Sequence, residues 1–217
     1  MTFLQTDPFY VAKFQDDGMT PVAIGELKVT GFSRYLHPMD SSQNILIGLG
    51  READDTGRDI GMQLSLFDVT TRSEPTLIAR LVIESGRGWT GTSADWEPKA
   101  FRYLKLDDKR GRLIIPITSG SYDGSSYFDG FAVFKIDANL GFDDAISWED
   151  DISHAPSDDN RGICYSCGYY LAERSFVISG NVYTIKGHSA LGHDLDTFEE
   201  LWRVDFTTGD DECCYWY

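Results

Sequence analysis

Cys164-x-x-Cys167, His188 and His193 fall within thirty residues of one another, and the adjacent pair Cys213-Cys214 lies further along the chain. Thiolates and imidazoles in this grouping are the donors a tetrahedral zinc shell takes. The interval of 20 residues between Cys167 and His188 exceeds the usual finger gap, and strand-forming residues fill it. Two histidines in a polar loop are therefore the plainer alternative to a zinc site at Cys164, Cys167, His188 and His193. A turn at Ser179-Gly180-Asn181 is expected to fold this segment so that residue 167 lies opposite 192 or 193.

Carboxylates also cluster, at Asp54-Asp55 with Asp59, Asp107-Asp108, Asp143-Asp144, Glu149-Asp150-Asp151 and Asp158-Asp159. Calcium would relieve the repulsion within each group, yet none has the spaced Asp-x-Asp-x-Asp-Gly loop. Solvated loop charge is the competing reading. No cofactor other than calcium or zinc suggests itself. Neither a Gly-x-Ser-x-Gly elbow nor a phosphate-cradling Gly-Lys-Ser/Thr ending occurs, and no catalytic residue is nominated. The glycine-rich stretch 119–130 reads as a flexible loop between strands. Its Tyr122, Asp123, Tyr127 and Phe128 make a candidate ligand loop, and with Trp89 and Trp96 from the preceding linker the aromatics would offer a carbohydrate platform. Edge packing of the same rings is the alternative.

The elements that would hold these residues are almost entirely strands. In 217 residues, 41% are apolar and 13% aromatic, too hydrophobic for a disordered chain despite 35 acidic against 19 basic residues. A net charge of −16 repels phosphate backbones and anionic lipids, and no apolar run is long enough to cross a membrane as a helix. Nucleic acid and membrane insertion are therefore not expected. About fourteen short runs rich in Val, Ile, Phe and Tyr, such as Leu113-Ile114-Ile115 and Val182-Tyr183-Thr184-Ile185, are punctuated by Gly, Asp and Ser. The best helix candidate, Asp196 to Leu201, is read as one turn at most.

These runs repeat. Strands ending at Gln15, Asp68, Asp137 and Asp196 are each followed by a polar turn and a second strand, at periods of 53, 69 and 59 residues. A second hairpin recurs between them: 34–37 with 45–47, 101–104 with 113–115, and 170–176 with 182–185. Four antiparallel strands per 50 to 60 residues match a β-propeller blade. The expected fold is all-β, about three and a half four-stranded antiparallel blades in a partial ring or fragment. Residues 1–30 supply an outer hairpin, 31–84, 96–151 and 163–207 three blades, and 208–217 an acidic Cys/aromatic tail, in one domain.

The motifs Gly25-Glu26-Leu27-Lys28-Val29, Leu64-Ser65-Leu66-Phe67-Asp68-Val69, Lys99-Ala100-Phe101 and Ser179-Gly180-Asn181-Val182-Tyr183 resemble secreted proteins with a C-terminal β-propeller domain, found mostly in bacteria and archaea. The likeness runs from about residue 8 to 206, with Pro98 where those proteins often carry a histidine. Members are typically much longer and extracytoplasmic, with no assigned activity. The resemblance implies an extracellular or cell-surface location, although the opening residues do not form a signal peptide and a cytoplasmic place stays open. In an exported protein two disulfides joining Cys164 and Cys167 to Cys213 and Cys214 are the simplest pairing. In a cytosolic one the four are free thiols. The expected function is a non-enzymatic binding or scaffold module of a longer protein, with a protein or glycan partner. Its missing blades would come in cis from that chain or in trans by homodimerisation. The alternative is a metal-dependent hydrolase or lyase using carboxylates at the propeller channel.

Overall fold

The computed structural model describes residues 8–155, 173–186 and 189–205, and every strand in them is antiparallel to its neighbours. The first sheet is the pair β1 (Phe9–Phe14) and β2 (Pro21–Leu27). The second runs β3 (Phe32–Pro38), β4 (Ile45–Ala53), β5 (Asp59–Asp68), β6 (Thr76–Glu84) in chain order. The third is built on β9 (Arg110–Ser121), β10 (Tyr127–Asp137) and β11 (Ile146–Ser153). Its inner edge is shared, with β8 (Arg102–Lys105) pairing one end of β9 and β7 (Gly88–Gly91) the other. The fourth is β12 (Arg174–Ile178), β13 (Asn181–Lys186), β14 (Ser189–Asp194) and β15 (Glu200–Asp205). No ring closes among the described residues.

Alternation along the strands explains the stacking, because successive side chains leave a strand on opposite faces. On the third sheet Leu113, Ile115, Ile117, Ala132, Phe134 and Ile136 join Ile47, Leu49, Leu64 and Leu66 of the second sheet in one buried cluster. The intervening Ile114, Phe131 and Val133, with Ile152, turn the other way and meet Val182 and Leu191 of the fourth sheet. One sheet with two apolar faces thus sits between two others, and the first sheet leans on the second where Phe9 stacks on Phe67 at 4.5 Å.

Turns are set by local chemistry. At Ser179-Gly180 both residues have positive φ (52° and 80°), closing a two-residue hairpin of the kind that suits strand twist. The acidic loop residues mostly serve their own backbone. Asp54 accepts from the N–H groups of Thr56 and Arg58, Asp107 from those of Lys109 and Arg110, and Asp194 from those of Asp196 and Thr197. Side-chain carboxylates that cap a turn in this way substitute for the missing backbone acceptor.

Four sequence expectations need correction. The repeat anchor in the fourth sheet is Asp194, which ends β14 as Asp68 ends β5 and Asp137 ends β10, while Asp196 lies in the following turn. The linker expected after residue 84 is not plain, because it contributes β7 and the 3-10 turn Ser93–Asp95, and a second 3-10 turn, Pro98–Ala100, follows inside the expected blade 96–151. Thr92 and Glu97 cap those turns, and Ala94 and Ala100 are fully buried. The glycine-rich stretch 119–130 is mostly strand, leaving only 122–126 as the hairpin tip. His193 is buried within β14, paired with Val182 on β13 and Glu200 on β15, where a polar loop is expected, and position 167 lies outside the described residues.

Candidate functional site

The seam between the third and fourth sheets changes character along its length. At its centre Ile114, Phe131, Val133 and Ile152 pack against Val182 and Leu191. One step further, His154 is buried with Nδ1 at 2.7 Å from Ser189 Oγ and Nε2 at 2.8 Å from Thr184 Oγ1. Its backbone N–H donates to the Asp129 carbonyl at 2.8 Å. Burial drives the His154 pKa down from 6.5 to about 3, and the nearby Lys186 and Arg203 charges push the same way.

The seam then becomes charged. Lys186, 4% exposed, extends Nζ from the face of β13 that also carries Val182 and Thr184. It reaches Glu173 Oε1 at 2.7 Å, Thr118 Oγ1 at 3.0 Å and Asp129 Oδ1 at 3.1 Å. Thr118 in turn donates to Asp129 Oδ1 at 2.8 Å, and the Ser93 hydroxyl donates to Glu173. The carboxylate side chains are not sealed, with Asp129 29% and Glu173 20% exposed.

At the rim the same face of the third sheet carries an aromatic shelf. Trp89, Gly120 and Tyr127 are direct partners across β7, β9 and β10, one register step outward from Gly91, Thr118 and Asp129. A Cβ on Gly120 would stand 3.3 Å from Trp89 Nε1, so the indole lies over the glycine where a side chain would otherwise be. Trp89 is nevertheless 40% exposed. Two other rings use a glycine this way, Trp202 over Gly192 and Tyr103 over Gly111.

Of the expected ligand-loop residues, the structure brings Tyr127 to this shelf and separates the rest. Phe128 points to the opposite face and packs on the core shared with the second sheet. Tyr122 stands 80% exposed at the hairpin tip. Asp123 caps that tip by accepting from the Ser125 N–H at 3.0 Å, and hydrogen bonds from Ser125 and Ser121 hold its pKa near 2. Trp96 is exposed on the 3-10 segment, between Asp95, paired to Arg34 at 3.0 Å, and Glu97, paired to Arg174 at 3.2 Å. Among the carboxylates, Asp59 grips Arg51 through both oxygens at 2.6 and 2.7 Å, and Glu149 grips Arg112 at 2.8 and 2.9 Å. Among the described residues no three His, Cys, Asp or Glu side chains converge as metal ligands. Cys164, Cys167, His188, Cys213, Cys214 and Asp158-Asp159 lie outside the described residues.

His154 and Ser189 have the spacing of a base and nucleophile but the wrong environment for those roles. A base whose conjugate acid has a pKa near 3 gains little by taking a serine proton at neutral pH. Ser189 is 2% exposed, so no substrate carbonyl reaches it. The arrangement joins β13 and β14 to the end of the third sheet instead. Sequence reasoning missed His154 and Lys186. A signal for Lys186 existed: it continues the inward series Val182, Thr184 of an alternating strand, where a lysine needs partners.

With this geometry in view, a family model described as the β-propeller domain matches residues 1–198. The chain belongs to that family. An uncharacterised protein of Archaeoglobus fulgidus is 33% identical over 135 residues, covering 62% of this chain and 19% of the relative. The uncharacterised protein MJ1554 of Methanocaldococcus jannaschii is 28% identical over 141 residues, covering 64% of this chain and 18% of the relative. The chain thus matches about a fifth of the length of these curated relatives. No helix among the described residues of this β-propeller protein is long and apolar enough to cross a membrane, which leaves β-barrels unaddressed.

Proposed function

We propose that the chain is a non-enzymatic binding or scaffold module of a longer exported or cell-surface protein, completed by further sheets. The carrying observation is what the first and last sheets leave uncovered. On the fourth sheet, Phe176, Tyr183 and Trp202 line the face turned away from the third sheet, with ring centroids 5.6 and 6.0 Å apart, and Val204 beside them is 49% exposed. On the first sheet, Tyr10, Phe14, Val22 and Ile24 are exposed, and among the described residues β1 has a partner on one edge only. In the other sheets the corresponding strands β5, β10 and β14 are flanked on both sides. Uncovered apolar faces and open edges are the liabilities a propeller removes by adding neighbours.

Relatives several times longer than the matched region support completion in cis, and a second copy is the route in trans. The secreted proteins that the sequence resembles support an extracytoplasmic setting, which surface proteolysis of the parent protein on intact cells would test. For the chain alone, light scattering is expected to give a dimer or larger assembly, and Trp202→Glu is expected to dissociate it. A monodisperse monomer, unchanged in mass and melting temperature by Trp202→Glu, would overturn the reading. Turnover of a glycan, ester or phosphodiester that disappears on changing Asp59 or Asp123 would overturn its non-enzymatic part.

A further inference from the structure

We propose that the rim of the seam between the third and fourth sheets is a saccharide-binding shelf. One face of a pyranose ring stacks on the Trp89 indole, and the sugar hydroxyls donate to Asp129 and Glu173. This rests on the binding-module reading and names its ligand class.

The indole is fixed from below. Gly120 lets it lie flat on the sheet, β7 holds its backbone in register with β9, and its 40% exposure leaves the outward side to solvent. A flat, preordered aromatic surface presents apolar contact area at little entropic cost, which suits the C–H face of a sugar. Tyr127 borders the glycine from the other strand. Polar groups lie one register step inward, and they are positioned by charge and hydrogen bonds rather than left to rotate. Lys186 fixes Asp129 and Glu173 from the buried side, while both carboxylate side chains keep exposed area from which to accept hydroxyl donors. Ligand sites characteristically combine an apolar surface with a few such convergent polar groups.

Charge narrows the class. Lys186 balances one of two carboxylates, and Asp123 on the adjoining hairpin tip is held ionised at neutral pH. A shelf with surplus negative charge disfavours uronates and sulfated sugars and accepts neutral or N-acetylated ones.

The test uses the full chain with four probes, cellohexaose, laminarihexaose, hexa-N-acetylchitohexaose and hexagalacturonate, each titrated by calorimetry to about 10 mM. At least one of the three uncharged hexaoses is expected to bind, and hexagalacturonate is not. Trp89→Ala is expected to lower that affinity roughly tenfold or more under conditions where the variant stays folded, and Trp89→Phe by less. Gly120→Ala, which sets a methyl group against the indole without removing it, is expected to fall between them. Trp96→Ala, on the 3-10 segment, is expected to bind as the parent does. The proposal is overturned if no uncharged hexaose binds, if hexagalacturonate binds best, or if Trp89→Ala binds as tightly as the parent. A chain that fails here but still assembles through Trp202 loses the shelf and keeps the module reading.

Discussion

The seams on the two faces of the third sheet differ in what fills them. Between the second and third sheets, Ile47, Leu49, Met62, Leu64 and Leu66 face Leu113, Ile115, Ala132 and Phe134, all of them fully buried. Between the third and fourth, the apolar patch is smaller and gives way to His154, then to Lys186 with its two carboxylates, then to the Trp89 shelf. An apolar seam tolerates sliding of one sheet on the other at modest cost, whereas hydrogen-bonded and charged groups are satisfied in one register only. The first seam holds the larger buried apolar cluster and is expected to contribute more to stability. The second trades stability for a defined placement of side chains at its rim, and that is where a binding site belongs.

The comparison is broken most easily at Phe134, fully buried and in edge contact with Trp148 at 5.1 Å. Phe134→Ala is expected to cost about 3 to 5 kcal/mol, because the cavity adds to the lost transfer energy. Chemical denaturation reads this directly, and a loss under about 1 kcal/mol would mean that the apolar seam is not the dominant one.

Lys186→Met tests the polar seam and is expected to cost about 3 kcal/mol. Removing one partner of a buried pair leaves carboxylates that only partial exposure relieves, which sets the estimate at the low end of the usual range. Adding Glu173→Gln is expected to restore part of the loss, since fewer uncompensated charges remain. If the double variant is no more stable than the single, the pair is not electrostatic in the way its geometry implies.

Acid distinguishes the seams next. The folded-state pKa of His154 lies below its ordinary 6.5, so the stabilising contribution is whole above about 6.5 and is lost as pH falls toward about 3. Between pH 7 and 5 the loss is about 2 kcal/mol. His154→Gln removes the titrating group, so the gap between parent and variant is expected to narrow by that amount over the same interval. A gap that stays constant would place the acid sensitivity in other groups, His193 and His37 among them, whose pKa values burial also lowers.

The sequence shows the strands and hairpins because their signals are local: alternating apolar residues, positive-φ turn residues such as Ser179-Gly180, and aspartates that cap the next two or three amides. The polar seam has no local signal of that kind. His154 bonds to residues 30 and 35 positions away, and Lys186 to Thr118, 68 positions away. Nothing near His154 in sequence names Ser189 as its neighbour. Strand β7 was equally hidden, since Gly88-Trp89-Thr90-Gly91 is short and glycine-flanked and becomes a strand only because β9 extends beyond β8. The aromatic residues of the shelf are visible in sequence, but which of them share a face depends on that unforeseen strand.

The smallest expected effect concerns Tyr122, two residues beyond the glycine that supports Trp89. Its side chain is 80% exposed, and its N–H donates to the Arg87 carbonyl at 3.0 Å, a bond that an alanine keeps. Tyr122→Ala is therefore expected to change stability by no more than about 0.5 kcal/mol and to leave hexaose affinity within about twofold. The same substitution at Trp89 removes a ring seated on the sheet. If Tyr122→Ala instead abolished binding while Trp89→Ala did not, recognition would reside in the tip at 122–126. The rigid rim of the polar seam would then be a support for that tip, with no ligand contact of its own.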